Sequence, residues 1–208
     1  MSALKIYGAA RSRAFRSLWA AGELALGYEH IPIDQRKGET RTPAFLALNP
    51  KGHIPVIEDG GLRLSESMAI NLYLAKKYGS GEGGLYPQSL EDEARALEWS
   101  FWGITEIEPP LFVALKNRTL LAEEQRDAKA AEAAAASLEA PLAVLDGALA
   151  ASPYLLGERF SIADLNLASI LSWARPAGID LGAMPRAALW LKTCLERPAA
   201  RAARQLQR

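Results

Sequence analysis

The chain has 208 residues, half of them apolar and 23% charged, with 24 Lys and Arg balanced by 24 Asp and Glu. That composition can bury a sizeable core and excludes a disordered chain, which joins low hydrophobicity to high net charge. Zero net charge argues against a nucleic-acid partner, no apolar run approaches the roughly 18 residues of a membrane span, and Met1–Phe15 lacks the apolar middle of a signal peptide.

The first part of the chain alternates between strand and helix signals. Leu4–Tyr7 alternates as a strand, and a helix is expected from about Ser12 to Leu26 with Phe15, Leu18, Trp19 and Ala21 on its apolar side. Tyr28–Ile33 alternates again. The polar stretch Asp34–Arg41, with Gly38, reads as a loop. Pro43 suits the first turn of a short helix that runs to Leu48. Ile54–Glu58, Asp59-Gly60-Gly61 and Leu62–Leu64 make a strand, a turn and a strand. Met68–Tyr78 follows as a packed helix. The order is βαβαββα, a small α/β unit on a mixed four-stranded sheet.

Gly79–Gly84 is the most glycine-dense stretch and reads as a linker. Domain 1–80 is expected before it, linker 81–89 around it, and an all-helical domain over 90–208. Within that domain Leu90–Leu121 is expected as a helix bent or interrupted at Pro109-Pro110, and Ala122–Leu149 as a helix with Pro141 its main defect. Ser161–Arg175 and Pro185–Arg197 complete the helical half. Ser161-Ile162-Ala163-Asp164 has the spacing of a capping box, with Phe160 and Leu165 set to close as a hydrophobic staple.

The single cysteine, Cys194, allows no internal disulfide and fits a reducing cytoplasm, and two histidines with one cysteine leave no protein-only zinc site. The segment richest in chemistry is Asn49-Pro50-Lys51-Gly52-His53-Ile54-Pro55-Val56, followed by Ser65-Glu66-Ser67. With a cis bond before Pro55, the backbone N–H and C=O of Ile54 turn away from the ladder, toward an extended peptide. Ser67 opens a helix, where unpaired N–H groups favour a carboxylate, and Glu66 beside it can hold an ammonium group. That pair suits the two charges of one amino-acid head. The same residues also read as an ordinary helix cap and turn.

The βαβαββα order, the run from Asn49 to Pro55, Glu66-Ser67, the glycine linker, the helical second half and the Ser161–Asp164 box together resemble a cytosolic glutathione S-transferase of bacterial type, over essentially the whole chain. The resemblance implies a thioredoxin-like N-terminal domain that binds glutathione as co-substrate. It also implies a helical domain that supplies most of the site for a small apolar electrophile, no metal, and a cytoplasmic homodimer with a detoxifying role and no nucleic-acid or membrane partner. By position, Glu66 and Ser67 take the γ-glutamyl end and Ile54 pairs with the cysteinyl unit beside Pro55. His53 contacts glutathione, and Arg41, with Lys37 as substitute, meets the glycyl carboxylate.

The thiol-activating end is less decided. The stretch after the first strand is Tyr7-Gly8-Ala9-Ala10-Arg11-Ser12-Arg13. The position that most often bears the family's serine looks like Ala9, a shift of three residues gives Ser12, and the position of a cysteine in some bacterial classes looks like Arg11. A free thiol titrates near about 8.5, so a nearby donor or positive charge raises the thiolate fraction at neutral pH. Ser12, Arg11 and the backbone at the helix start are each candidates, and Ser12 also reads as a plain helix cap. Tyr7 reads as core, with a site role left open. Of the aromatic stripe Trp99, Phe101, Trp102 and Thr105, the electrophile site is expected at Trp102 and Thr105, facing the cleft between domains. Glutathione-dependent peroxide reduction or isomerisation starts from the same thiolate. A glutathione-binding module without turnover is the alternative.

Overall fold

The computed structural model describes residues 4–206; Met1–Ala3 and Gln207–Arg208, the outer ends of the two expected domains, lie outside the described residues. Strands β1 (Leu4–Tyr7), β2 (Tyr28–Ile31), β3 (Val56–Asp59) and β4 (Leu62–Ser65) form one four-stranded sheet in the order β2-β1-β3-β4. β1 and β2 run parallel, joined through helix α1 (Ala14–Glu23), as a crossover requires. β3 is antiparallel to β1, and β4 closes a hairpin on β3. With α2 (Pro43–Leu48) and α3 (Ser67–Tyr78), this is the expected βαβαββα order. On β1 the alternation is literal: Leu4 and Ile6 are buried, while Lys5 and Tyr7 are half-buried. Pro43 stands in the first turn of α2, which Thr42 caps by accepting from the Phe45 N–H at 3.3 Å.

The stretch read as a loop before α2 is more ordered than expected. It winds into two 3₁₀ turns, Gln35–Lys37 and Glu39–Arg41, joined at Gly38 with φ of 75°. Asp34 accepts from the Arg36 N–H at 2.8 Å. Such side-chain to backbone bonding orders a polar segment without any apolar pattern to announce it.

The remaining helices are α4 (Leu90–Trp102), α5 (Glu108–Leu115), α6 (Ala128–Ser137), α7 (Glu139–Ala148), α8 (Ile162–Leu171), α9 (Pro185–Leu195) and α10 (Pro198–Gln205). Both proline expectations shift by a few residues, for one reason. A proline disturbs the turn before it, where its missing donor and its ring meet earlier carbonyls. The interruption expected at Pro109-Pro110 therefore falls ahead of them, as a π-helical turn at Gly103–Ile107, and the two prolines occupy the first turn of α5. Likewise the segment around Pro141 breaks at Leu138 into α6 and α7.

The chain clusters into two compact units, Met1–Tyr86 with Arg197–Arg208, and Pro87–Glu196. The last helix, expected with the helical domain, thus belongs with the first unit. Its buried Ala200 and Ala203 form the small face that packs on α1, and Arg197 makes two bonds to Glu23, at 2.8 and 2.7 Å. Gly22 makes the approach possible, since a Cβ there would lie 3.2 Å from that of Ala199.

In the second unit the Ser161–Asp164 capping box forms as expected at the start of α8. Phe160 rests edge-on against Tyr154. The Asp164 carboxylate is fully buried and accepts from the Ser161 N–H (2.9 Å), the Ser161 hydroxyl (2.8 Å), the Leu155 N–H (2.9 Å) and the Trp190 indole (2.9 Å). Burial pushes this carboxyl above the ordinary carboxylate range, against bonds that favour its charged form. The cluster ties α8, α9 and the loop at Leu155 together. Asp164→Ala strands three N–H donors, two of them buried and that of Leu155 half-buried, and a buried donor costs about 1–3 kcal/mol when orphaned. The melting temperature should fall by about 10 °C or more, and a fall under about 3 °C would contradict this role.

Candidate functional site

The turn between α2 and β3 is pinned from inside. The Asn49 side chain donates to the His53 carbonyl at 2.7 Å and accepts from the Lys51 N–H at 3.3 Å, while the Gly52 N–H donates to the Asn49 carbonyl at 2.9 Å. Gly52 has φ of 65°, and a Cβ on it would stand 2.5 Å from Nη1 of Arg41. Only glycine lets that guanidinium lie over the turn. Arg41 and the His53 side chain are otherwise exposed. The Ile54–Pro55 bond is cis, as expected. Ile54 anchors its side chain in a small core with Phe45 and Val56. Among the described residues its backbone N–H and C=O have no backbone partner.

The junction between β4 and α3 is the second piece. Glu66 takes φ of 73°, which a non-glycine residue adopts at a cost of order 1–3 kcal/mol. Ser67 follows as the first residue of α3 and is 7% exposed. The helix dipole and free N–H groups there favour an anion, and the neighbouring Glu66 carboxylate favours a cation. A cation already sits on it: Lys51 Nζ lies 3.2 Å from Glu66 Oε1 and donates to Ser65 Oγ at 3.3 Å. Behind the junction, Arg16 on α1 donates to Ser67 Oγ at 3.3 Å and is itself 2% exposed.

The third piece leads from β1 into α1. Gly8 has φ of 136°, and a Cβ there would meet the Ala14 Cβ at 2.7 Å and the Ile54 Cβ at 3.2 Å. The chain can therefore leave β1 pressed against Ile54, which brings the Ala9–Ser12 turn to that edge. Ser12 Oγ donates to the Ala9 carbonyl at 2.7 Å and accepts from the Ala14 N–H at 3.1 Å. The capping contact is thus real, and α1 is assigned from Ala14, two residues beyond the expected start. Arg11 is exposed on the same turn. Tyr7 is otherwise engaged: its hydroxyl donates to Glu58 at 2.6 Å, and burial with that bond pushes its pKa up to about 12. A phenol so held is a poor thiol activator.

Trp102 and Thr105 lie in the second unit. Trp102 meets Trp99 edge-on at 5.2 Å, and Thr105 stands within the π-helical turn, donating to the Phe101 carbonyl at 3.1 Å. Phe101, beside them, is 58% exposed. Among the described residues no group of three or more His, Cys, Asp or Glu could hold a metal ion, and no helix is long and apolar enough to cross a membrane.

Four of the expected residues of the first unit each meet one neighbour: Ile54 lies against Gly8, Arg41 over Gly52, Glu66 against Lys51, and Ser67 accepts from Arg16. Sequence reasoning did not single out Lys51 or Arg16. Arg16 could have been noticed as a charge at i+1 and i−2 from apolar Phe15 and Leu18, but a helix buried from Ala14 to Ala21 shows no polar face by which to sort it. Lys51 falls within the run from Asn49 to Pro55, but its pairing with Glu66 could not be read there, because it depends on the approach of the turn at residue 66.

The chain matches the family models "Glutathione S-transferase, N-terminal domain" over residues 2–76 and "Glutathione S-transferase, C-terminal domain" over residues 107–198. Glutathione S-transferase 3 of Zea mays is 36% identical over 96% of this chain and 92% of its own length. Glutathione S-transferase GstB of Escherichia coli (strain K12) is 31% identical over 86% of both. The theta class glutathione S-transferase of Xanthomonas axonopodis pv. citri, solved with glutathione bound, superposes with a TM-score of 0.90 at 32% identity, covering 99% of this chain and 98% of that one. With two halves that match in order, a thioredoxin-like domain followed by a helical one, and relatives that are named transferases, this chain belongs to the glutathione S-transferase family.

Proposed function

We propose that the protein joins the sulfur of glutathione to small apolar electrophiles. The observation that carries this reading is the junction between β4 and α3: a carboxylate at positive φ beside the open N-terminus of a helix, one residue apart. In this reading the γ-glutamyl carboxylate binds at Ser67 and the first N–H groups of α3, and its ammonium takes the Glu66 carboxylate from Lys51. The cysteinyl backbone pairs with Ile54 beside Pro55, and the glycyl carboxylate meets Arg41 near His53.

The thiol then falls beside the Ser12 turn. The Ala14 N–H already donates into Ser12 Oγ, which makes the hydroxyl a stronger donor. Rotation of one proton from the Ala9 carbonyl to the sulfur lets Ser12 stabilise a thiolate without moving a heavy atom. A drop of about two pKa units corresponds to about 2.7 kcal/mol in favour of the thiolate. Arg11, on the same turn, adds positive charge. The thiol proton goes to solvent, the thiolate attacks carbon, and halide leaves an aryl halide, or the opened epoxide oxygen takes a proton. Trp102 and Thr105 of the second unit are, by the family resemblance, the candidates for contact with the electrophile. Peroxide reduction and isomerisation use the same thiolate and belong to the same reading. A detoxifying cytoplasmic homodimer accords with this chemistry.

Glutathione at about a hundredfold its Kd should stabilise the fold by about 2.7 kcal/mol, raising the melting temperature by about 5 °C or more. No rise at millimolar glutathione would remove the reading. Ser12→Ala should lower kcat for an aryl halide about tenfold or more near pH 6.5, with recovery as pH rises toward about 9, and Arg11→Ala should do so more weakly. Wild-type kcat in both variants from about pH 6 to 8 would show that neither side chain activates the thiol.

A further inference from the structure

The chain leaves β1 through a peptide whose orientation is set from β2. Past Tyr7 the ladder continues in two backbone bonds, from the Gly8 N–H to the Ile31 carbonyl at 2.9 Å and from the Ala9 N–H to the Ile33 carbonyl at 3.2 Å. The Gly8 carbonyl is held by a side chain instead: His30 Nε2 lies 2.8 Å from it. A carbonyl oxygen only accepts, so Nε2 carries a ring proton here. His30 pairs in register with buried Ile6, two residues before Gly8, and its half-buried ring reaches the carbonyl from that neighbouring strand. The peptide between Gly8 and Ala9 is therefore fixed at both ends, by His30 at its C=O and by Ile33 at its N–H. Such fixing matters at this residue. Gly8 has φ of 136°, in a region that only glycine enters freely, and it is buried, so an unmet carbonyl would turn toward another donor. The next peptide carries the Ala9 carbonyl, which accepts from the Ser12 N–H at 2.9 Å and from the Ser12 hydroxyl at 2.7 Å. Rotation of the first peptide swings the second, and with it the Ser12 oxygen.

We propose that His30 is a positioning residue for thiol activation: by holding the Gly8–Ala9 peptide, it keeps the Ser12 hydroxyl aimed at the glutathione sulfur. The proposal rests on the glutathione reading above and adds a residue on β2 that acts through Ser12. The imidazole takes no proton from the thiol; its contribution is the geometry of the turn. A hydroxyl displaced by about 1 Å makes no useful bond to sulfur, and misplacement on that scale is costly in rate. A ring that only satisfies a buried carbonyl would change stability and leave the thiol as it is. A ring that positions Ser12 changes the thiol and spares the affinity, because the subsites at Ile54, Glu66 and Ser67 lie on other segments.

The test titrates the thiol of bound glutathione by its ultraviolet thiolate signal, on the full chain. His30→Ala should raise the thiol pKa in the complex by about 0.7 or more, which lowers the thiolate fraction below that pKa by about fivefold. At saturating glutathione, kcat for an aryl halide near pH 6.5 should fall by about the same factor, with Kd for glutathione within about twofold of wild type. His30→Gln, whose amide N–H can stand near the place of Nε2, should recover most of the rate, and His30→Asn, which is too short to reach, should not. In a Ser12→Ala background, adding His30→Ala should move the thiol pKa by less than about 0.2, because the two act as one unit. Should His30→Ala not fold, the contrast between His30→Gln and His30→Asn decides alone. An unchanged thiol titration in His30→Ala, Gln and Asn variants that behave alike, a Kd that weakens as much as kcat falls, or a full further shift on top of Ser12→Ala overturns the proposal and leaves the glutathione reading standing. A wild type that binds no glutathione removes that reading and the proposal with it.

Discussion

The turn from β4 into α3 sets two opposite charge preferences on consecutive residues, and the rest of the first unit is arranged around it. Glu66 is held at φ of 73° and Ser67 opens a buried helix. A single residue cannot offer both a carboxylate to a cation and an open row of N–H groups to an anion; two residues across a forced backbone reversal can. Strain of order 1–3 kcal/mol is tolerated at Glu66 because the hairpin on one side and the buried face of α3 on the other leave the backbone no alternative. In the free protein Lys51 covers the carboxylate, an exposed ion pair of the kind worth little on its own. A ligand ammonium can therefore displace it at small cost.

The other parts bring backbone to that junction through glycine and proline. Gly8 allows the chain leaving β1 to pass Ile54, and Gly52 admits the Arg41 guanidinium over the adjoining turn. Asn49 ties that turn with three bonds that involve its side chain or carbonyl. The sheet contributes stiffness, and Tyr7 contributes to the sheet: its bond to Glu58 holds that carboxyl below the usual range, with Arg63 on the other oxygen at 2.9 Å. At the far end of β3, Asp59 accepts from Tyr73, Lys77 and Tyr78 at 2.9 Å each; burial alone would raise its carboxyl, yet these bonds hold it low. Both groups add stability above the pKa of an unfolded carboxyl, and that stability is lost as pH falls through their depressed values.

Much of the fold was legible because local signals agreed. Strict alternation marked β1, Asp59-Gly60-Gly61 marked the hairpin, Pro43 marked the first turn of α2, and the Ser161–Asp164 spacing marked α8. Of the candidate site, type and spacing singled out Ile54, Pro55, Glu66 and Ser67, whereas Arg41 and His53 entered only through the family resemblance and Ser12 as one of three candidates. Three things escaped for physical reasons. The breaks near Pro110 and Pro141 fell in the preceding turns, since a proline acts on carbonyls earlier in the chain. Helix α10 follows the helical half in sequence, yet its alanine face fits Gly22 on α1, a match visible only in three dimensions. Arg16 and Lys51 make their contacts with partners 51 and 15 residues away, beyond the reach of any local pattern.

A crystal structure of the protein with glutathione tests the central claim most directly. The account predicts the γ-glutamyl ammonium on Glu66 with Lys51 displaced, its carboxylate at Ser67, backbone bonds to Ile54, and the sulfur within hydrogen-bonding reach of Ser12 Oγ. Glutathione bound elsewhere, or bound with the Lys51–Glu66 pair intact and the mouth of α3 empty, would contradict it.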